Sequence, residues 1–399
     1  MIEGSQLLGL TQLWRCGDPS FCGTKRCGAT TRQSRARARA SRFPTPISRE
    51  TSRYAGHPTG LNDSSPRALS PDAAVPTIRA RLLTAIGIAV ASGLVAYFAA
   101  RRPGAVPDFL YPWTGARLFL DGVDPYVAMQ KQPGGAPPYD EALFYPFTAL
   151  LALFPLARIP MELAGALFFG ASSGGLAYLI TRDGLWRVHV FMSAPFVAAA
   201  LLTQFGPLLM MAAFVPALGF LTTIKPNLGL PLLVYRPSWK ALIGCAAFVA
   251  LSLVVFPRWP WGWLNSIRHD TRVGAHAIPV LQLGGVLLLL AALRWRREAG
   301  RLLLAMSVIP QQLFFYDQLP LWLVPATRQQ SIALTACSQA GFILYYLMRT
   351  PGELVVRSAY PFVIATIFLP ALVILLRQPA REPAGPASSS LPKADALTS

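Results

Sequence analysis

Three acidic side chains stand close together just after the first long apolar run of the chain. Asp108, Asp121 and Asp124 lie in the stretch PDFLYPWTGARLFLDGVDPY, in a chain with 36 basic and only 18 acidic residues. A carboxylate within hydrogen-bond reach of a hydroxyl can take its proton while that oxygen attacks a carbon atom, which is general-base chemistry. Asp before an apolar run also caps helices. For Asp108 the sequence therefore allows a base, a helix cap, or both.

The second and third acids have a simpler structural interpretation. They belong to the sequence DGVDPY at 121–126, which contains the Asp-Gly and Asp-Pro pairs that favour a bend in the chain. We therefore expect Asp121 and Asp124 to shape a turn. Asp124 is kept as a candidate for substrate contact as well.

The composition indicates a membrane protein that crosses the bilayer several times. The chain has 399 residues, of which 53% are hydrophobic and 14% charged, and its mean hydropathy is +0.42. The run 82–100 holds 19 residues without a charge, enough to span about 30 Å of hydrocarbon. Further apolar runs follow from residue 143 to residue 376. We predict an all-α bundle of about ten to twelve transmembrane helices in one domain, 79–377, with short helices in its first loop.

The two ends of the chain differ from this domain. Segments 1–78 and 378–399 are polar and low in apolar residues, and we predict that both are disordered. The Arg-rich run at 32–42 fits a transit peptide or a lipid-binding tail. Of these explanations we favour a third, a translation start further downstream near Val75.

The net charge of +18 could suit a nucleic acid or an anionic membrane surface. Many of the basic residues lie in short loops between apolar runs, where retention of Lys and Arg in the cytoplasm explains them. We therefore expect membrane lipid, and no nucleic acid, as a partner. By the same rule the clusters at 235–240 and 294–301 should be cytoplasmic. The aromatic-rich segment 256–276 and the polar segment 101–142 should then face outward.

Two charged residues stand inside apolar sequence, where a charge is costly and usually meets a partner, water or a ligand. Lys225 follows a long uncharged run, and it either meets an anion or extends towards water at a helix end. Asp317, in LFFYDQLPLW, is either functional, paired with an Arg, or exposed at a helix break. Tyr316 and Gln318 beside it would add hydroxyl-binding groups if that break opens into a cavity.

These features together resemble a known family of membrane enzymes. The first helix is followed by DFLYPWTGARLFLDGVDPY, then by Tyr145-Pro146 at the start of the next apolar run, and later by IKPN at 224–227. This order is similar to the polyprenol-phosphate-dependent mannosyltransferases of glycosyltransferase family 87, which have the GT-C superfold. The resemblance covers roughly residues 80–376. It implies a GT-C-like enzyme in the plasma membrane of a bacterium, with a polyprenyl-phosphate sugar donor and a glycolipid or lipid-linked glycan acceptor.

In this family a carboxylate of the first outward loop is the general base, and the matching residue here is Asp108. The resemblance implies transfer of the sugar, most simply mannose, with inversion. A phosphate leaving group is already an anion, so the paired carboxylates of glycoside hydrolases are not required. Its charge calls for cationic donors, and the candidates are Arg117, Lys225, His269 and Arg272. The other candidates for substrate binding are Asp124, Tyr145, Asn227, Tyr316, Asp317 and Gln318.

The chain departs from the family pattern at two points. Phe147 stands where many relatives have a second Pro, and TQFGP at 203–207 stands where many have Gly-Gln-x-Asn. An inactive, diverged relative is therefore one alternative. A second is a multi-span lipid or solute transporter or flippase, in which Lys225 and Asp317 would be relay charges. No metal-binding motif appears in the sequence, and we expect no cofactor.

Overall fold

Residues 76–130, 142–269, 276–349 and 355–379 are described by the computed structural model of the chain. They are almost entirely helical, as the apolar composition predicts, and they belong to one compact unit. The terminal segments predicted to be disordered are 1–78 and 378–399. They lie outside these ranges, except for residues 76–78 and 378–379.

The α-helices are α1 (Ile78–Ala100), α2 (Leu110–Leu120), α3 (Pro125–Ala128), α4 (Phe147–Leu153), α5 (Met161–Ile180), α6 (Ala194–Leu202), α7 (Gly206–Met211), α8 (Pro226–Tyr235), α9 (Trp239–Val255), α10 (Trp259–His269), α11 (Glu298–Val308), α12 (Arg328–Met348), α13 (Val355–Val363) and α14 (Leu369–Arg377). The 3₁₀-helices are Phe154–Leu156, Thr181–Asp183, Leu185–Met192, Pro216–Thr223, Pro279–Leu281, Gly285–Arg294 and Tyr316–Leu323, and a π-helical turn, Ile364–Phe368, joins α13 to α14. Strands β1 (His276–Ala277) and β2 (Gln311–Gln312) form one antiparallel pair.

Several helices are long and apolar enough to cross a membrane, so the chain is an all-α protein of multi-pass membrane character. Within the described ranges four segments meet this condition by length and composition: Ile78–Ala100, Met161–Asp183, Arg328–Met348 and Ser358–Arg377. Two bent helix pairs, one with a bend of 60° and one with 96°, raise the number to six if each pair is one span.

Among the described residues, the expected ten to twelve spans are therefore not found as continuous helices. The apolar run 188–224 is divided into Leu185–Met192, α6, α7 and Pro216–Thr223, and several of these pieces begin at a proline. Proline has no backbone N–H and clashes with the preceding turn, so it starts a helix readily but interrupts one that is already formed. Hydropathy alone does not register these interruptions.

The pair of α1 and α5 is the most extensive helix contact of the described chain, and small residues allow it. A Cβ atom on Gly170 would lie 2.8 Å from the backbone oxygen of Ala89, and one on Gly174 would lie 2.8 Å from the Ala89 Cβ. On the facing helix, a Cβ on Gly93 would lie 3.1 Å from the Ala166 oxygen. Small residues let helix backbones approach closely in a membrane, where packing and not water exclusion drives association.

This contact predicts opposite effects for two Gly→Ala substitutions. Gly170→Ala should lower the free energy of unfolding by about 1–3 kcal/mol, because the new methyl group meets a backbone atom that cannot rotate away. Gly87→Ala, on α1, has open space within 4 Å of the new Cβ and should be neutral or stabilising by up to about 1 kcal/mol. Chemical unfolding of the two variants in the same detergent compares them. Equal effects would show that the contact is not close.

The two basic clusters lie together at one end of the bundle. Arg236 forms an ion pair with Glu298 at 3.3 Å. The Arg301 guanidinium donates to the backbone oxygens of Val234 and Tyr235, each at 3.0 Å. The sequence expectation that clusters 235–240 and 294–301 share one side therefore agrees with these contacts.

The first loop and the aromatic-rich segment lie together at the other end. The Trp263 indole donates to the backbone oxygen of Phe144 at 2.8 Å, and the Phe256 ring lies 6.4 Å from the Tyr126 ring. Helix α9 has 17 residues, or about 25 Å of length, and it joins the basic end to this aromatic end. The residues predicted to face outward are thus separated from the basic clusters by one helix length.

Candidate functional site

Five polar side chains from distant parts of the sequence form one hydrogen-bonded chain. The Gln204 amide donates to the carboxylate of Asp108 and accepts from the Lys225 ammonium at 3.1 Å. The Lys225 ammonium also donates to one oxygen of Asp317 at 2.6 Å. The Asn227 amide donates to the other Asp317 oxygen at 3.2 Å. We call these five residues the polar cluster.

Asp108 reaches the cluster from the segment between α1 and α2. Helix α2 begins at Leu110 and has Phe109 at its cap position, with no side-chain cap hydrogen bond. Asp108 therefore lies one residue before the assigned cap position, and its interpretation as a helix cap stays a prediction. Phe109 is fully buried and its ring lies 5.2 Å from Phe168 of α5. That packing anchors the residue next to Asp108, whose own side chain stays partly exposed.

Strained backbone stands immediately before two of the residues at this site. Thr203, which precedes Gln204, has φ = 54°, and Phe315, which precedes Tyr316, has φ = 35°. Side chains other than glycine adopt such angles rarely, and the angles persist only where surrounding packing holds them. Phe315 is fully buried, 4.9 Å from the Phe342 ring. The core therefore fixes the directions of Gln204 and Tyr316.

The Lys225 and Asp317 charges are taken out of water together. The Lys225 side chain is 13% exposed and the Asp317 side chain 1% exposed. The ammonium also lies 5.0 Å from the centre of the Tyr316 ring, which adds a cation–π contact. Of the interpretations open for Asp317, pairing is what the structure shows, although its partner is this lysine and not an arginine. Lys225 likewise meets an anion and does not extend towards water.

Tyr316 connects the pair to the candidate base. Its hydroxyl forms a side-chain hydrogen bond with Asp108, and Asp317 and Tyr145 are the other titratable groups around it. The Asp108 carboxylate thus has an amide and a phenol as neighbours, and it is the more exposed of the two acids. The cluster holds two carboxylates and one ammonium, a formal net charge of −1. This arrangement suits a neutral hydroxyl better than a second anion.

The other acids of the first loop have structural roles. The Asp124 carboxylate caps α3, accepting from the backbone N–H groups of Tyr126 at 2.9 Å and Val127 at 3.3 Å. Asp121 forms an exposed ion pair with Arg158 at 2.7 Å. The predicted turn is confirmed. The substrate role considered for Asp124 has no support from its contacts, because its side chain is directed at its own helix.

The remaining candidates fall outside the polar cluster or outside the described residues. Arg117 is exposed and lies over the Trp113 ring at 5.6 Å. Gln318 is buried and donates to Gln311 at 3.4 Å, while its own amide oxygen has no partner among the described residues. His269 ends α10, and neither its side chain nor Arg272 is among the parts that the structure describes.

Tyr145 joins the first loop to the site. Its ring lies 5.4 Å from the Phe205 ring, next in sequence to Gln204. Its backbone oxygen accepts the Tyr126 hydroxyl at 2.9 Å. Burial raises the pKa of Tyr126 well above 10.0, and the negative charge of Asp124 raises it further. The phenol therefore stays protonated and remains a donor, which holds the loop on the segment that carries Tyr145.

This hydrogen bond predicts a pH-dependent effect of Tyr126→Phe. The variant should lose about 0.5–1.5 kcal/mol of stability at pH 7. The folded-state pKa is above the unfolded value, so the contribution of the wild-type hydroxyl is complete below pH 10 and is lost as the pH rises towards the folded-state pKa. The difference between the two proteins should therefore shrink above pH 10. Urea unfolding at pH 7 and above pH 10 measures it, and a constant difference would contradict this account.

Gln204 is the member of the cluster that sequence reasoning missed. It stands in the TQFGP sequence that was noted only as a departure from Gly-Gln-x-Asn, although the glutamine itself is retained. That retained amide was the signal available.

Among the described residues, no group of three or more His, Cys, Asp or Glu side chains could hold a metal ion.

No family model matches the chain, and no curated protein and no solved structure matches it. The functional argument therefore depends on the residues and their geometry.

Proposed function

We propose that this protein is a GT-C type membrane glycosyltransferase. It transfers a sugar, with mannose as the first candidate, from a polyprenyl-phosphate donor to a glycolipid or lipid-linked glycan at the outer face of a bacterial plasma membrane. The observation that supports this most is Asp108, a partly exposed carboxylate oriented by Gln204 inside an otherwise apolar helical protein. The position of Asp108 in the first loop is also the one that the family resemblance gives to the base.

In the proposed reaction Asp108 accepts the proton of the acceptor hydroxyl. The acceptor oxygen then forms a bond to the anomeric carbon, and the bond from that carbon to the donor phosphate oxygen breaks. The electron pair of the broken bond stays on the phosphate, which leaves as an anion. Attack and departure take place on opposite faces of the sugar ring, so the anomeric configuration is inverted.

The donor phosphate needs cations that are not already neutralised. Lys225 is paired with Asp317 and bonded to Gln204, so its charge supports the two carboxylates. We therefore assign the phosphate to the first loop, where Arg117 is exposed. Arg272 stays a candidate from the sequence alone. The polar cluster is left for the acceptor hydroxyl.

One observation favours a transporter as the second candidate. An ion pair such as Lys225 and Asp317, buried among apolar helices, is also the arrangement of relay charges in membrane transport. In that case protonation of Asp317 or release of Lys225 would accompany movement of a substrate across the bilayer. Asp108 and its hydrogen bonds would have no chemical role.

Reconstituted protein in liposomes separates the two candidates. The sample receives polyprenyl-phosphate mannose labelled in the sugar, together with a bacterial membrane lipid extract, and radioactivity is followed into extracted glycolipid. A parallel sample receives a water-soluble nucleotide-linked mannose, which should not react. Labelled glycolipid from the lipid-linked donor alone supports the transferase. Movement of the intact donor across the bilayer without any transfer would establish the transporter instead.

A further inference from the structure

The chemistry of its neighbours fixes the orientation of the Gln204 amide. A lysine ammonium can only donate hydrogen bonds, and a carboxylate can only accept them. The amide atom 3.1 Å from the Lys225 nitrogen must therefore be the oxygen, which leaves the NH₂ group towards Asp108. This removes the usual ambiguity between the two ends of a glutamine side chain.

The position of Gln204 is fixed as firmly as its orientation. The residue is 1% exposed, and its backbone N–H donates to the Ala199 oxygen at 2.9 Å, closing the end of α6. On its far side Lys225 is held by Asp317 at 2.6 Å. Both ends of the amide thus meet groups that are themselves anchored, and the Asp108 end of the cluster is partly exposed.

We propose that Gln204 is the positioning residue of this site: its amide holds the Asp108 carboxylate in place and links it to the buried Lys225–Asp317 ion pair. Gln204 does not touch the reacting atoms. Its NH₂ group donates to Asp108. The direction of that group is set by the Lys225 ammonium, whose charge is neutralised by Asp317. That Gln204 orients a catalytic base rests on the proposed function. The hydrogen bonds by which Gln204 joins Asp108 to the Lys225–Asp317 pair do not depend on it.

The link has an electrostatic effect on Asp108. An N–H group donated to a carboxylate favours its charged form, and a second carboxylate in the same place disfavours it. Tyr316 forms a hydrogen bond with Asp108, and Tyr145 and Asp317 are the further titratable groups around Tyr316. Lys225 and its partner Asp317 lie on the other side of Gln204. In the native arrangement Gln204 stands between Asp108 and the charged pair. Its replacement should therefore change the pH at which Asp108 takes up a proton.

Labelling with dicyclohexylcarbodiimide tests this without any assay of activity. The reagent adds to protonated carboxyl groups, and peptide mass spectrometry reports the modified fraction at Asp108 as a function of pH. Gln204→Met removes the donor and keeps the volume. Gln204→Glu keeps the acceptor for Lys225 and places a second carboxylate against Asp108. Both should move the labelling midpoint at Asp108 upward, the Met variant by about one pH unit and the Glu variant by more.

The matched control is Gln311→Met. Gln311 is also a fully buried glutamine, but its amide donates to the Met306 oxygen at 2.6 Å and has no contact with Asp108. Its midpoint should equal that of the wild type. A merely structural role for Gln204 would make the Met variant the more affected one, or leave both midpoints unchanged, and either result would overturn the proposal. Gln204→Glu keeps the contact with Lys225, so it still tests the proposal if Gln204→Met does not fold.

The outcomes for Gln204 and for the enzyme are separable. Shifted midpoints without sugar transfer by the wild-type protein would support the role of Gln204 and refute the transferase. Sugar transfer with unshifted midpoints would support the transferase and refute the role of Gln204.

Discussion

Replacing Asp317 with asparagine is expected to lower the free energy of unfolding by about 3–5 kcal/mol. Asparagine keeps the shape of the side chain and removes its charge, so the Lys225 ammonium is left in a water-poor site without its counter-ion. The Asp317 side chain is 1% exposed and that of Lys225 only 13%, so water cannot replace the lost partner. Unfolding of the purified variant in detergent, followed by circular dichroism, measures the loss.

Two further variants show whether the loss arises from the unpaired charge. Asp317→Leu combined with Lys225→Met removes both charges and should recover most of the stability, since apolar residues of similar volume often replace a buried pair without loss. Asp121→Asn breaks the exposed ion pair with Arg158 and should cost less than about 1 kcal/mol. If Asp121→Asn lowered the free energy of unfolding as much as Asp317→Asn, burial of the Lys225–Asp317 pair would not be the cause of the loss.

Replacing Asp108 with asparagine should reduce kcat/KM for sugar transfer by about 10²- to 10⁴-fold, the usual contribution of a general base. The amide can keep hydrogen bonds at this position but cannot take the acceptor proton. Asp108 is partly exposed, whereas Asp317 is almost fully buried, so this variant should fold normally. Initial rates with the lipid-phosphate sugar donor measure the effect.

Asp121→Asn serves as the control for this rate as well. Asp121 lies in the same first loop but faces Arg158 and solvent, so its replacement should leave the rate within about twofold of the wild type. Transfer by Asp108→Asn at the wild-type rate would exclude Asp108 as the base. Equal losses in both variants would instead indicate that the loop as a whole is required.

The sequence was informative about which residues matter because charge in apolar sequence is rare and costly. Asp108, Lys225, Tyr316, Asp317 and Asn227 were all candidates before the structure, and the structure brings them together. Their pairing could not be predicted, since residues far apart in sequence meet there; Lys225 and Asp317, for example, are 92 positions apart. Lys225 was accordingly one of four candidates for the donor phosphate, and an arginine was the only partner considered for Asp317.

Gln204 shows a different limit of sequence reasoning. A glutamine is neutral and common, so its type alone does not single it out as charge does for Lys225. Its importance comes from the strained turn at Thr203 and from anchored neighbours on both sides, which are products of tertiary packing. Asp124 is the opposite case, because its local sequence predicted the turn correctly, although the cap that it forms on α3 was not foreseen.

The helix count failed for a related reason. Hydropathy reports how apolar a segment is, whereas the continuity of a helix depends on where proline and glycine interrupt it. Residues 188–224 carry no formal charge, yet they fold as several short pieces. The all-α class was predictable because composition determines it. The division of an apolar run into short helices also depends on tertiary packing around each proline, which composition does not give.

The unequal lengths of these helices bear on how the chain is made. A nascent chain can release α1 from the translocon into lipid on its own, since its 23 residues extend about 35 Å. The 3₁₀-helix Gly285–Arg294 has ten residues and rises only about 20 Å, less than the roughly 30 Å of the hydrocarbon layer. It packs on α11 and α14, which are synthesised after it. Its native contacts can therefore form only after those C-terminal helices have been synthesised, whereas α1 is long enough to span the hydrocarbon layer by itself.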